Sequence, residues 1–296
     1  MPAPPRRRLA HVNGQILPFE EASVPITDRG FLFADAIYEV AAVIDGAFLD
    51  LDGHLARLDR SLREIAIANP HDAQGWRALM SDLALANGMS EGLVYLQVTR
   101  GSQDRDFVAA PDLTPNVVMF TQEKSLRETA NAANGISIIT VPDLRWARRD
   151  VKSTGLLAQV LAKQAARAAG AQEAWMVEDG VVTEGASWTA FIVTQDGEVV
   201  TRPLSHKVLP GVTRATLMRV ARAHGLRCVE RTFTVEEALA AREVFLTSAG
   251  SLVTGIVSID GKTIANGHPG QFARDLRAAY FEDAPRTPLA LEGKEP

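Results

Sequence analysis

The chain has 296 residues, 46% hydrophobic and 23% charged, with a formal net charge of −5. That acidic balance argues against a nucleic-acid or anionic-membrane partner. The single cysteine, Cys228, has no partner within the chain, and a sequence this long buries a large core without covalent staples.

About 150 residues per domain suggests two domains. The longest apolar stretch, 31–49, is broken by Asp35, Glu39 and Asp45, so no membrane span is expected. Residues 1–8 are rich in proline and arginine with no apolar core behind them, and read as a frayed arm, not a secretory signal. With one unpaired cysteine, a reducing, cytoplasmic location is expected.

In chain order, the first signal is a hairpin: 9–12, the turn Asn13-Gly14, then 15–17. Asn-Gly suits a tight turn in which both central residues need positive φ. The same device recurs at Asp45-Gly46, Asp179-Gly180, Asp196-Gly197 and Asp260-Gly261. These turns predict sheets built largely from antiparallel hairpins. Helices are expected at 54–68, where Leu55, Leu58, Leu62 and Ile65 share a face, and at 73–86, ended by Gly88. Strands follow at 93–99 and 116–121, and the polar run 122–135 is the linker candidate. Strand 136–141 leads to an alanine-rich helix ending near Ala169, with Leu156, Leu157, Val160, Leu161 and Gln164 facing inward. Further helices are expected at 213–224, 233–240 and 271–281. The stretch 284–296 is proline-rich and polar and is expected to be disordered.

Lys152 is one of six lysines. It is expected at the mouth of the alanine-rich helix, with Ser153 or Thr154 as cap, where the helix field, burial and nearby Arg148 and Arg149 would lower its pKa and favour a nucleophile. Leu209-Pro210-Gly211-Val212-Thr213 runs from a turn into a helix and could seat an anion on the Val212 and Thr213 amides. Phe245-Leu246-Thr247-Ser248-Ala249-Gly250 is a strand ending in small residues that let backbone approach a ligand. Glu184 follows a hairpin strand, and Arg57 leans inward from its helix. Each alone is equally compatible with something plainer: a surface lysine, an ordinary cap, a loop, a solvated glutamate, a snorkelling arginine. Taken together, a lysine, a carboxylate and a two-part anion cradle are what pyridoxal 5′-phosphate asks of a protein. No nucleotide-binding glycine motif is present, and the histidines show no metal-ligand spacing, so no metal is expected.

These residues lie in a series of stretches: Asp28-Arg29-Gly30-Phe31 through Ala36-Ile37-Tyr38-Glu39-Val40, His54-Leu55-Ala56-Arg57-Leu58, and Tyr95-Leu96-Gln97-Val98-Thr99-Arg100-Gly101. The series continues with Arg145-Trp146 through Asp150-Val151-Lys152-Ser153, Val182-Thr183-Glu184-Gly185, Gly211-Val212-Thr213-Arg214 and Phe245-Leu246-Thr247-Ser248. In register from about residue 9 to 281, the series resembles the fold-type IV pyridoxal-phosphate aminotransferases, and within them the D-amino acid (D-alanine) aminotransferases.

The resemblance implies an α/β fold of the α+β type, with a smaller N-terminal α/β domain (1–128), a larger C-terminal domain with antiparallel hairpins that binds the cofactor (129–296), and the cofactor between them. It implies a homodimer whose partner loop completes the substrate pocket. It implies ping-pong transamination between a D-amino acid, such as D-alanine or D-glutamate, and a 2-oxo acid such as 2-oxoglutarate, through pyridoxamine phosphate. Lys152 would carry the cofactor and shuttle the proton at Cα, and Glu184 would pair with the pyridine nitrogen. Arg57, Val212, Thr213, Ser248 and Ala249 would hold the phosphate, and Leu209 would support the ring. Tyr38 and Val40 would line the substrate side, and Arg105 would bind the substrate carboxylate.

Two departures stand out. Phe107 replaces the histidine typical of the D-amino acid enzymes, a loss of about 1.5–3 kcal/mol in substrate binding. Ala249 lacks a hydroxyl that would add a phosphate contact. The first keeps alive an (R)-amine or branched-chain amino acid transaminase on the same fold. An aminodeoxychorismate-type lyase, or a cofactor-binding protein without turnover, are further alternatives.

Overall fold

The computed structural model describes residues 7–289; part of the expected N-terminal arm, 1–6, and of the expected disordered tail, 290–296, lies outside the described residues. The elements in order are β1 (Leu9–Val12), β2 (Gln15–Pro18), α1 (Arg29–Phe33), β3 (Ala36–Ile44), β4 (Ala47–Leu49), α2 (Leu51–Glu64), α3 (Ala73–Ala86), β5 (Glu91–Thr99) and β6 (Asn116–Glu123). There follow α4 (Ala130–Asn134), β7 (Ile136–Pro142), α5 (Leu157–Ala168), β8 (Glu173–Glu178), β9 (Val181–Gly185), β10 (Thr189–Val193), β11 (Val199–Thr201), α6 (Val212–Ala223) and β12 (Cys228–Glu230). The chain ends with α7 (Val235–Leu239), β13 (Glu243–Ser248), β14 (Leu252–Ile259), β15 (Lys262–Thr263), α8 (Gln271–Asp283) and β16 (Arg286–Pro288).

Among the described residues the chain divides into two units: the first holds the residues up to 125 with 151–155 and those from 285 on, and the second holds 126–150 with 156–284. In the first, seven strands lie in the order β16-β4-β3-β5-β6-β1-β2, all antiparallel. Helices α2 and α3 pack their apolar faces on it through Leu55, Leu58, Leu62, Trp76, Met80 and Leu83. Part of the tail expected to be disordered is ordered, because Arg286–Pro288 finds an edge partner in β4. In the second unit the order is β12-β11-β10-β13-β14-β7-β8-β9, with β15 on β14. The pairs β7–β8, β14–β7 and β11–β12 are parallel and the remainder antiparallel, so this sheet is mixed.

All five Asx-Gly turns link neighbouring strands. At four of them both central residues have positive φ, as at Asn13 (48°) and Gly14 (88°); at Asp196-Gly197 only Gly197 does (83°). The alanine-rich helix departs from expectation on its inner face. Leu157, Val160 and Leu161 are exposed, at 71%, 48% and 51%, whereas Ala162 and Ala166 pack on Ala174 and Met176 of β8. Small side chains let the helix lie close on the sheet, and the bulky face is turned away from it.

Candidate active site

Within the first unit, Tyr38 and Val40 lie two residues apart on β3 and share a face, with Glu39 on the opposite one. Tyr38 stacks on Tyr95 with centroids 5.7 Å apart, and Tyr95 on Phe120 at 4.7 Å. Residues 151–155 run along the end of β3. Ile37 bridges Ser153, the Tyr38 amide donates to the Lys152 carbonyl at 3.0 Å, and the Lys152 amide donates to Ser61 Oγ at 3.4 Å. Val151 is buried in the core just before it. The backbone of Lys152 is therefore fixed on both sides, and its Nζ stands 4.1 Å from the Tyr38 ring centroid.

This placement corrects the expected one. Helix α5 begins at Leu157, behind Leu156 and without a side-chain cap, so Lys152 lies in an extended segment five residues upstream and not at a helix mouth. Ser153 and Thr154 do not cap; the Thr154 hydroxyl donates to the Ala34 carbonyl at 3.3 Å. The pull of β3 on 151–155 delays the helix.

Behind β3, Glu39 is buried and receives two side chains from α2. Arg57 Nε donates to Oε1 at 2.7 Å and Nη2 to Oε2 at 2.8 Å, while His54 Nδ1 sits 2.8 Å from Oε2. Burial alone would raise the Glu39 carboxyl, but Arg57 and His54 outweigh it and hold it down to about 2. Arg57 thus presents one edge of its guanidinium to Glu39. Further along, the Arg105 guanidinium carbon lies 5.4 Å from the ring centroids of both Phe33 and Phe107. Phe107 is 77% exposed, and the loop is held by Arg29, which donates to the Asp106 carbonyl at 2.6 Å and the Phe107 carbonyl at 3.0 Å.

Within the second unit, Glu184 is the penultimate residue of β9 and a buried carboxylate. Arg145 donates to its Oε1, and the Leu209 amide lies 3.1 Å from the same oxygen. Asp143 fixes Arg145 from behind through Nε (2.9 Å) and Nη2 (2.7 Å), and itself accepts from the Thr183 hydroxyl at 2.6 Å. Burial pushes the Glu184 carboxyl up, and Arg145 and the Leu209 amide pull against it. Burial disfavours the Arg145 charge too, but Asp143 and Glu184 reverse that and raise it. We read Glu184 as charged, since Arg145 and the Leu209 amide both donate to it and adding a proton would weaken both hydrogen bonds. The next residue, Gly185, is sterically required: a Cβ there would lie 2.4 Å from the buried ring of Trp188.

Val212 and Thr213 open α6, both buried, behind Gly211, and no side chain caps the helix. A Cβ at Gly211 would stand 2.7 Å from Thr189 Oγ1, so this backbone admits only glycine without a shift. Ser248 closes β13, its Oγ accepting from the Ser251 amide at 3.1 Å, and next to it Thr247 Oγ1 is buried without a protein partner among the described residues. An uncapped buried helix start and an orphaned buried hydroxyl both suit a polyanionic ligand.

Several of these residues carried no sequence signal of a role: Asp143, Arg145, Thr183, Ser61 and His54. Glu39 could have been found, as a lone carboxylate within a nine-residue strand that is otherwise apolar apart from Tyr38, since a charge in such a place needs a partner.

The fold and this set of groups define an amino-group-transferring enzyme, and the chain belongs to the amino-transferase class IV family, whose model matches residues 36–259. It is 38% identical over 267 residues to a D-alanine aminotransferase of Bacillus licheniformis, covering 90% of this chain and 94% of that one. A D-alanine aminotransferase of Staphylococcus aureus (strain N315) is 33% identical over 270 residues, with 91% and 95% covered. Among solved structures, an Escherichia coli branched-chain amino acid aminotransferase superposes with a TM-score of 0.87 at 21% identity, covering 93% and 94%. A hypothetical aminotransferase from Mycobacterium tuberculosis, in a form with pyridoxal phosphate bound, gives 0.82 at 22% identity, covering 93% of this chain and 98% of that one. Enzymes of this class use pyridoxal 5′-phosphate. The residues present fit it: a fixed lysine, an enclosed carboxylate and the anion-ready backbone at α6 and β13.

Proposed function

We propose that the protein transfers the amino group of a D-amino acid, such as D-alanine or D-glutamate, to a 2-oxo acid such as 2-oxoglutarate, in two half-reactions that share the cofactor. The observation that carries this reading is the similarity to D-alanine aminotransferases over nine-tenths of the chain. When bound, pyridoxal phosphate supplies an electron-poor ring that spreads the charge left at Cα when its proton departs.

The chain's own residues do the remainder. Lys152 anchors the cofactor through Nζ and moves the proton at Cα. Its backbone is pinned by Tyr38 and Ser61, so Nζ works from one fixed side, and the proton returns to a single face of Cα. Glu184, kept charged by Arg145, holds the proton of the pyridine nitrogen. Leu209 supports the ring while its amide orients Glu184. Arg57, the Val212 and Thr213 amides, Ser248 and the Ala249 amide bind the phosphate. Tyr38 and Val40 shape the side-chain pocket, and Arg105, set between Phe33 and Phe107, binds the substrate carboxylate. The working form is a homodimer in the cytoplasm.

A second reading, transamination of an (R)-amine, is favoured by Phe107 alone, which offers Arg105 a ring where a hydrogen-bond donor would help a carboxylate. Titrating the holoenzyme with D-alanine, L-alanine and (R)-1-phenylethylamine separates the two. Loss of the visible cofactor absorbance with D-alanine alone, restored by 2-oxoglutarate, is expected. A response to the amine alone would transfer the assignment to the second reading.

A further inference from the structure

Arg277, on the inner side of α8, is a half-buried guanidinium whose hydrogen bonds all go to carbonyls. Nη1 donates to Ser251 at 2.9 Å and Val253 at 2.8 Å; Nη2 donates to Leu126 and to Arg127 at 3.2 Å. No carboxylate pairs with it among the described residues, and burial pulls it down to about 10. Carbonyl dipoles solvate such a cation without neutralising it, so it leaves a net positive field around the atoms it holds.

Those atoms belong to the turn between β13 and β14. The Ser251 carbonyl is gripped twice, by Arg277 and by the Thr254 hydroxyl at 2.8 Å, and the Ser251 amide donates to Ser248 Oγ. Leu252 is held at a φ of 51°, a left-handed value that a leucine adopts only under constraint. The far side of the turn is therefore locked. The Ala249 amide, on the near side, donates to no protein acceptor among the described residues.

We propose that Arg277 is a positioning residue for the cofactor phosphate, fixing the turn so that the Ala249 amide and Ser248 are presented to it and supplying the charge that balances the dianion. This rests on the reading of Ser248 and Ala249 as part of the phosphate seat. Arg277 touches no reacting atom; it acts through the turn.

A splint without electrostatic purpose would also bind four carbonyls, and the two differ in what they do to the phosphate alone. Affinities of pyridoxal 5′-phosphate and of pyridoxal, which lacks the phosphate, are measured on the full-length apo-chain for wild type, Arg277→Gln and Arg277→Lys, with the rise in Tm caused by inorganic phosphate. Arg277→Gln is expected to weaken pyridoxal phosphate about tenfold or more and leave pyridoxal within about twofold. It should also shrink the phosphate-dependent rise in Tm. Arg277→Lys, which keeps the charge and loses the fork, should fall between, and carries the comparison if the glutamine variant does not fold. Equal weakening of both ligands, or of neither, overturns the role of Arg277. Were wild type itself to bind the two ligands alike, the phosphate seat would be misplaced and the inference would fall with it, an outcome visible before any variant is made.

Discussion

Glu39 and Glu184 are both enclosed carboxylates, and their partners set them to different tasks. Glu39 has its ordinary value of 4.5 lowered to about 2 by Arg57 and His54, against burial. A carboxyl with a depressed folded value contributes stability in full above its unfolded value and loses it as pH falls through the folded one. Its contribution is therefore complete above about pH 4.5 and fades towards pH 2, on the order of 3 kcal/mol in all. Urea midpoints of wild type and Glu39→Gln should converge as pH falls through that window; parallel curves would remove Glu39 from the balance. Glu184 depends on Arg145. Arg145→Met should leave a buried carboxylate without its cation, costing about 3–5 kcal/mol in unfolding free energy. It should also slow exchange of the D-alanine Cα proton. An unchanged exchange rate would mean that Glu184 does not hold the pyridine proton.

At the scale of elements, α8 begins without a cap of its own, behind Gly270. Its first free amides, Phe272 and Ala273, donate to Glu243 of β13, at 3.0 Å to each carboxylate oxygen. A carboxylate at a helix N-terminus satisfies donors and meets the positive end of the dipole. Glu243→Ala should lower stability by about 1–3 kcal/mol, read by thermal unfolding, with Gln recovering part of it. No loss would show that water replaces the cap. This arrangement was invisible in the sequence, because 29 residues separate Glu243 from Phe272 and no local spacing links them. By contrast α3 falls at 73–86 as its own apolar spacing predicts, capped by the adjacent Asp72 through the Gly75 amide at 2.7 Å.

At the scale of the whole molecule, Leu157, Val160 and Leu161 are exposed on consecutive turns of α5. An exposed apolar cluster of this kind suits burial against a second copy. Sedimentation should find a dimer, and Leu157→Asp with Leu161→Asp should shift it towards monomer while leaving the far-ultraviolet circular dichroism intact. A dimer unaffected by both charges would place the interface elsewhere.

What the sequence determined by itself was what neighbours within a few residues decide. The Asx-Gly turns, the spacing of α3 and the small-residue end of β13 follow from backbone sterics and helical period, and the motif series identified the family. The tertiary structure alone decided where the ordered tail pairs, which face of α5 is buried, and that Lys152 lies beside β3 and not at a helix mouth. It alone decided what each buried charge meets: Glu39 meets Arg57 across 18 residues, Arg145 meets Glu184 across 39, and Arg277 meets the Leu126 carbonyl across 151. Burying a charge demands a partner, but only the closed chain determines which distant residue is near enough to supply it.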